Sequence, residues 1–196
     1  MPGEDYDFVA IGGGAAGYFG AISFAEAAPG SRVAILEKSR EVLGKVRISG
    51  GGRCNVTHAC FEPKPLTTHY PRGEKTLIGP FHRWASGDTI DWFAQNGVEL
   101  KTEEDGRMFP TTDQSQTIID CFTRRAEELG IEVITGIEID SIEKNAELWR
   151  LIPKDGPDIR AQSILIATGG IRNGAGARLA GSVGHTIIPA APSLFT

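Results

Sequence analysis

The sequence predicts an α/β fold in which a doubly wound parallel sheet carries a small antiparallel meander, and three observations predict it. Apolar runs at residues 7–11 and 32–36 flank a helix-compatible stretch at 15–28, which is the pattern of one strand-helix-strand unit with parallel strands. Gly12-Gly13-Gly14 joins the first strand to that helix with no intervening loop. After residue 136, three short apolar runs at 137–142, 147–152 and 159–166 are separated by Lys144-Asn145 and Asp155-Gly156-Pro157, turn residues that suit a meander.

The remaining elements follow in order. Pro29-Gly30 ends the first helix, and the second strand closes on Glu37. Residues 38–110 are irregular, with one helix expected near 89–95, and read as an excursion from the sheet. Asp113 is placed to cap a helix running to about Leu129, with Gly130 as its stop before a strand at 132–135. The last strand runs into Ala167-Thr168-Gly169-Gly170, and the rest reads as a glycine-rich tail. The whole is expected to be one domain with a large excursion.

Composition narrows the function classes. With 40% hydrophobic and 23% charged residues over 196 positions, the chain can bury one sizeable core, and no apolar run approaches the roughly 20 residues a membrane span needs. The acidic opening Met1-Pro2-Gly3-Glu4-Asp5 has no basic start of a signal peptide, so a cytoplasmic location is expected. A net charge of -5 argues against nucleic acid as a partner and favours a small molecule. Three cysteines without CxxC spacing suit free thiols in a reducing compartment, and no metal site is expected from Cys54, His58 and Cys60.

Gly12, Gly14 and Gly17 form a G-x-G-x-x-G at the strand-helix junction, and Glu37 follows 20 positions after Gly17. Glycines there let backbone approach a pyrophosphate, while the opening residues Gly14, Ala15, Ala16 and Gly17 present free N–H groups to the anion. Glu37, with Lys38 beside it, suits an unphosphorylated ribose. This is the Rossmann fingerprint of a dinucleotide site, and it leaves FAD and NAD unseparated. Two features favour FAD. The strand 163–166 ending in Ala167-Thr168-Gly169 resembles the second signature of two-dinucleotide flavoproteins. The loop Ser49-Gly50-Gly51-Gly52-Arg53-Cys54-Asn55 sets three glycines before a cation, a thiol and an amide, a composition suited to backbone approaching a phosphate or ring.

The run Gly44-Lys45-Val46-Arg47-Ile48-Ser49-Gly50-Gly51-Gly52-Arg53-Cys54-Asn55-Val56-Thr57-His58 resembles the defining motif of the BaiN-like NAD(P)/FAD-dependent oxidoreductases, the aminoacetone oxidase family. Gly79-Pro80-Phe81, Glu104 to Pro110 with Ser115-Gln116-Thr117, Gly184-His185-Thr186-Ile187 and Pro192-Ser193-Leu194-Phe195 agree with it. The resemblance implies a glutathione-reductase-type FAD-binding fold with a nicotinamide donor. It implies that Gly12 to Gly17 and Glu37 hold the adenosine half, that the 49–55 loop approaches the flavin, and that the Ile139 backbone touches the adenine. It also implies a further substrate-side domain and a C-terminal segment beyond Thr196.

Lys45, Arg47 and Arg53 are candidates for a cationic cluster near the flavin pyrimidine ring, or for solvated surface charges. Arg107 borders a pocket or pairs with the Glu103-Glu104-Asp105 run. Trp84, Trp92 and Phe93 are expected on the buried face of the excursion helix. Cys54 is a candidate redox thiol, although Cys60 is too far along to resolve it. No acid, base or nucleophile is named. The function expected is FAD-dependent redox chemistry on a small molecule, with a non-catalytic dinucleotide-binding module as the alternative. The oligomeric state is not legible.

Overall fold

The computed structural model describes residues 5–70, 73–145, 147–170 and 174–189. The Pro192-Ser193-Leu194-Phe195 stretch lies outside the described residues. The described residues divide into two compact units, one within 5–45 and 122–189, the other within 46–121.

The first unit is built on a six-stranded sheet in the order β6-β2-β1-β9-β8-β7. Strand β1 (Asp5–Ile11) pairs in parallel with β2 (Val33–Glu37) on one side and β9 (Ile159–Ile166) on the other, and β6 (Glu132–Thr135) pairs in parallel with β2. Strands β7 (Ile139–Lys144) and β8 (Trp149–Pro153) complete an antiparallel meander with β9. The expected meander is therefore present, and β9 makes it continuous with the parallel sheet.

Helix α1 (Ala15–Ala27) packs on β1, β2 and β9, with Phe8 stacked on Phe24 at 4.6 Å between ring centroids. Its buried Tyr18 and Ile22 each contribute on the order of 1.5–3 kcal/mol by leaving water. A second cluster gathers Val9, Ile11, Leu36, Ile142 and Leu151 with Leu179. Leu179 comes from a helix, α7 (Ala175–Ser182), that packs on β7 and β9. This corrects the expected glycine-rich tail: Leu179 is a single apolar anchor among small residues, too little for a sequence pattern, yet it is fully buried.

The second unit holds a three-stranded antiparallel sheet, with β5 (Arg107–Pro110) between β3 (Thr57–His58) and β4 (Leu100–Thr102). Around it lie α2 (Gly44–Ile48), which carries the boundary between the units, α3 (Pro63–Thr67), α4 (Glu74–Phe81) and α5 (Ser86–Gln95). The expected helix near 89–95 is thus a longer one, held at its start by the Asp88 carboxylate, which accepts from the Ala85 N–H at 2.7 Å. Trp92 and Phe93 are buried as expected. Trp84 departs from expectation: it precedes the helix, is 40% exposed and donates to Thr89 Oγ1.

Helix α6 (Ser115–Glu128) begins two residues after Asp113. Asp113 does not cap it, because its carboxylate pairs instead with Lys101 and Arg53. At the other end Gly130 (φ 67°) lets the Ile131 N–H turn back to the Ala126 carbonyl at 2.9 Å, the expected stop. Among the described residues, no helix is long and apolar enough to cross a membrane.

Candidate functional site

The four parallel strands of the first unit end on one side of their sheet, and the loops that follow them are tied together there. Gly12 N–H donates to the Leu36 carbonyl at 2.7 Å and Ala167 N–H to the Ile11 carbonyl at 2.8 Å, which joins the ends of β1, β2 and β9. The turn after β6 joins them through Gly136 N–H to Ser39 O at 3.1 Å and Ile137 N–H to Glu37 O at 2.9 Å. A crevice outside the carboxyl ends of parallel strands is where open α/β sheets bind ligands.

Each glycine of the fingerprint has its own reason. At Gly12 (φ 119°) a side chain would overlap the Ala167 carbonyl, and at Gly17 it would overlap the Gly12 carbonyl, so close packing forbids both. Gly14 is different, since a Cβ there would meet nothing within 4 Å. It is the N-cap of α1, no side chain caps the helix, and the first turn holds no acid. Ala15 and Ala16 are exposed. The helix therefore keeps the positive end of its dipole and its first N–H groups for an outside acceptor, which an anion fits best.

Glu37 reaches back to this turn. One carboxylate oxygen accepts from Gly13 N–H at 2.7 Å, and the other accepts from the Ser39 N–H and hydroxyl at 2.9 and 2.6 Å. Partial burial pushes its pKa up, but the Ser39 hydroxyl, the Ser39 and Gly13 amides and Lys38 outweigh that and hold it below the ordinary glutamate value. A carboxylate oxygen accepts two hydrogen bonds, so Oε2 keeps room for one more donor, such as a ribose hydroxyl. Gly13, Ser39 and Leu43, whose N–H donates to Gly13 O at 2.8 Å, are members of the turn that the fingerprint does not name. Only the run of three glycines signals the first, and nothing local signals the others.

Ala167 lies against the same turn, with Thr168 packed on Gly176 of α7 and Gly169 in the left-handed region at φ 80°. The Lys45 ammonium sits at Gly169, 3.1 Å from where a Cβ would stand. Lys38 is exposed beside Glu37. Ile139 starts β7 with its side chain 4% exposed in the core, while the backbone groups bonded to Glu37 and Ser39 belong to Ile137 and Gly136.

In the second unit the glycine loop is a tight left-handed turn, with Gly50, Gly51 and Gly52 at φ 56°, 68° and 86°. A side chain at Gly50 would press on the Asn55 amide and the Phe109 ring, whereas Gly51 is open. The polar groups of this loop are largely taken up by the fold. Arg53 pairs with Glu103 and Asp113 and lies 4.0 Å over the Phe109 ring. With its side-chain amide assigned nitrogen-inward, the orientation that sets donors against acceptors, Asn55 donates to the Thr57 and Met108 carbonyls at 2.9 and 3.3 Å. The Ser49 hydroxyl donates to Val46 O, and Arg47 donates to Gln116 Oε1. Cys54 is buried at φ 62°, and burial pushes its thiol pKa up although Ser49 partly offsets this. That environment disfavours the thiolate a redox cysteine needs. Arg107 pairs with Asp105 at 2.7 Å and Glu103 at 3.6 Å, the second of its two expected roles.

Comparison with known proteins gives the family and the fold. Residues 6–191 match the family described as HI0933-like protein Rossmann domain. A 3-dehydro-bile acid delta(4,6)-reductase of Clostridium scindens is 28% identical over 190 residues, 94% of this chain and 45% of its own length. A ribosomal RNA dihydrouridine synthase of Escherichia coli is 29% identical over 168 residues, 86% of this chain and 40% of its own. The chain thus spans less than half the length of these curated relatives. Among solved structures, a 3-ketosteroid-delta4-(5alpha)-dehydrogenase of Rhodococcus jostii has a TM-score of 0.64 at 15% identity, covering 87% of this chain and 47% of that one. A flavocytochrome c3 fumarate reductase has 0.59 at 20% identity, covering 86% and 34%. At these identities the likeness is one of fold. The match over nearly the whole chain makes it a member of the HI0933-like Rossmann-domain family, the family that the Gly44 to His58 run resembles.

Proposed function

We propose that the chain is the dinucleotide-binding part of an FAD-dependent oxidoreductase acting on a small molecule, with hydride passed between a nicotinamide donor and the flavin. The observation that carries this reading is the uncapped start of α1 at Gly14, open above and set beside a carboxylate that retains an acceptor site. FAD when bound supplies the two-electron chemistry; the chain supplies position and charge. The N–H groups of Ala15, Ala16 and Gly17 would donate to the diphosphate, Glu37 Oε2 would accept from a ribose hydroxyl, and the Gly136-Ile137 turn, with Ile139 behind it, would lie against the adenine. In the second unit Ser49, Gly50, Gly51, Arg53, Cys54 and Asn55 form the loop we assign to the flavin end. There the backbone and the Asn55 oxygen are the groups left to meet it.

The names of the curated relatives support a reductive direction, since one is a reductase and the other makes a dihydro product. The net charge of -5 supports a small molecule as substrate. The dihydrouridine synthase relatives favour a second reading, in which the substrate is a base in RNA. A reducing, cytoplasmic setting belongs to the same proposal and is supported by the absence of CxxC spacing among the three cysteines. The test is to load the chain with FAD, add NADH or NADPH without oxygen, and follow the flavin absorbance. It should bleach, then recover when a conjugated enone is added. Recovery with uridine-containing RNA alone would select the second reading. A bound flavin that neither nicotinamide bleaches would leave only the dinucleotide-binding module.

A further inference from the structure

The placement of Lys45 allows a sharper assignment within the same site. The sequence groups it with Arg47 and Arg53 at the flavin, but the three have separate engagements. Arg47 donates to Gln116, and Arg53 is neutralised by Glu103 and Asp113. Lys45 pairs with no carboxylate among the described residues. Its ammonium lies over the two glycines that follow β9, 3.1 Å from a Cβ built at Gly169 and 3.8 Å from one at Gly170. Those glycines leave the room that the lysine chain occupies. Gly169 is two residues beyond Ala167, whose carbonyl packs under Gly12 and whose methyl lies 3.7 Å from a Cβ built at Gly17. The lysine charge therefore stands at the strand end that abuts the glycine turn, on the unit that carries the α1 N-terminus.

The geometry points to Lys45 as the counter-charge for the diphosphate of the bound dinucleotide. This rests on the dinucleotide reading above and assigns the cation to the diphosphate instead of the flavin. A charge-assisted hydrogen bond of this kind changes affinity on the order of tenfold or more.

The experiment measures binding of FAD, ADP-ribose and AMP to the wild-type chain and to Lys45→Gln and Lys45→Arg, with circular dichroism to check folding. Lys45→Gln should weaken FAD and ADP-ribose by the same factor, about tenfold or more, and leave AMP nearly unchanged. Its FAD affinity should also depend less on salt. Lys45→Arg should recover part of the loss. Unchanged FAD binding in Lys45→Gln, beside a wild type that binds, overturns the lysine assignment alone. A loss for FAD but not for ADP-ribose returns Lys45 to the flavin end. A folded wild type that binds none of the three overturns the assignment together with the reading it rests on.

Discussion

The two glycine-rich segments of the molecule use their polar groups in opposite ways. In the turn at Gly12 to Gly17, the helix start is uncapped and the adjacent carboxylate keeps an acceptor site. In the turn at Gly50 to Gly52, the cation, amide and thiol that follow are taken up by Glu103, Asp113, the Met108 carbonyl and burial. What is left over distinguishes a site from a structural turn: the first offers unsatisfied groups, and the second offers mainly backbone shape.

The largest effect that would sharpen this contrast is expected at Gly17. Gly17→Ala drives a Cβ into the Gly12 carbonyl, so it should cost roughly 2–4 kcal/mol of stability, read by denaturant unfolding, and abolish FAD binding. An unaltered unfolding midpoint would mean that the turn relaxes freely.

Glu37→Gln comes next. It removes the charge and turns one of the two accepting oxygens into a donor, so the Gly13 and ribose side or the Ser39 side loses its acceptor, and FAD should weaken on the order of tenfold or more. The Glu37 pKa is lower in the folded state than in the unfolded chain. Its contribution to stability is therefore fully present above the ordinary glutamate value and is lost as pH falls through the depressed folded value. Unfolding midpoints followed through that acidic window should fall less steeply in Glu37→Gln than in wild type. Parallel curves would show that the carboxylate does not clamp the turn.

How much was legible follows from where each group finds its partner. The β1-α1-β2 unit, Gly12, Gly14, Gly17 and Glu37 were readable because they interact within one supersecondary unit, where spacing alone sets geometry. The roles of Arg53 and Asn55 were not, because their partners Glu103, Asp113 and Met108 lie some 50 positions on, and no local pattern encodes them. Helix α7 was hidden for a related reason. Small residues dominate it, and Leu179 becomes an anchor only once β7 is folded beneath it.

Smaller effects test the second turn. Arg53→Gln should lower the unfolding midpoint by taking one cationic partner from Glu103 and Asp113, which keep Arg107 and Lys101, while changing FAD affinity less than Glu37→Gln does. The reverse ranking would make Arg53 a ligand. Smallest is the thiol response: iodoacetamide should label half-buried Cys60 before Cys54 and Cys121, which are buried. Cys54 reacting first would restore it as a redox candidate.

The central claim is that the start of α1 is held open for an anion. Gly14→Asp tests it most directly, because a side chain at Gly14 meets nothing within 4 Å and an aspartate there would cap the helix itself. Titration with FAD and ADP-ribose, beside unfolding curves, should find the variant more stable by about 0.5–1 kcal/mol and its binding of both ligands lost. A Gly14→Asp chain that binds both as tightly as wild type would contradict the account.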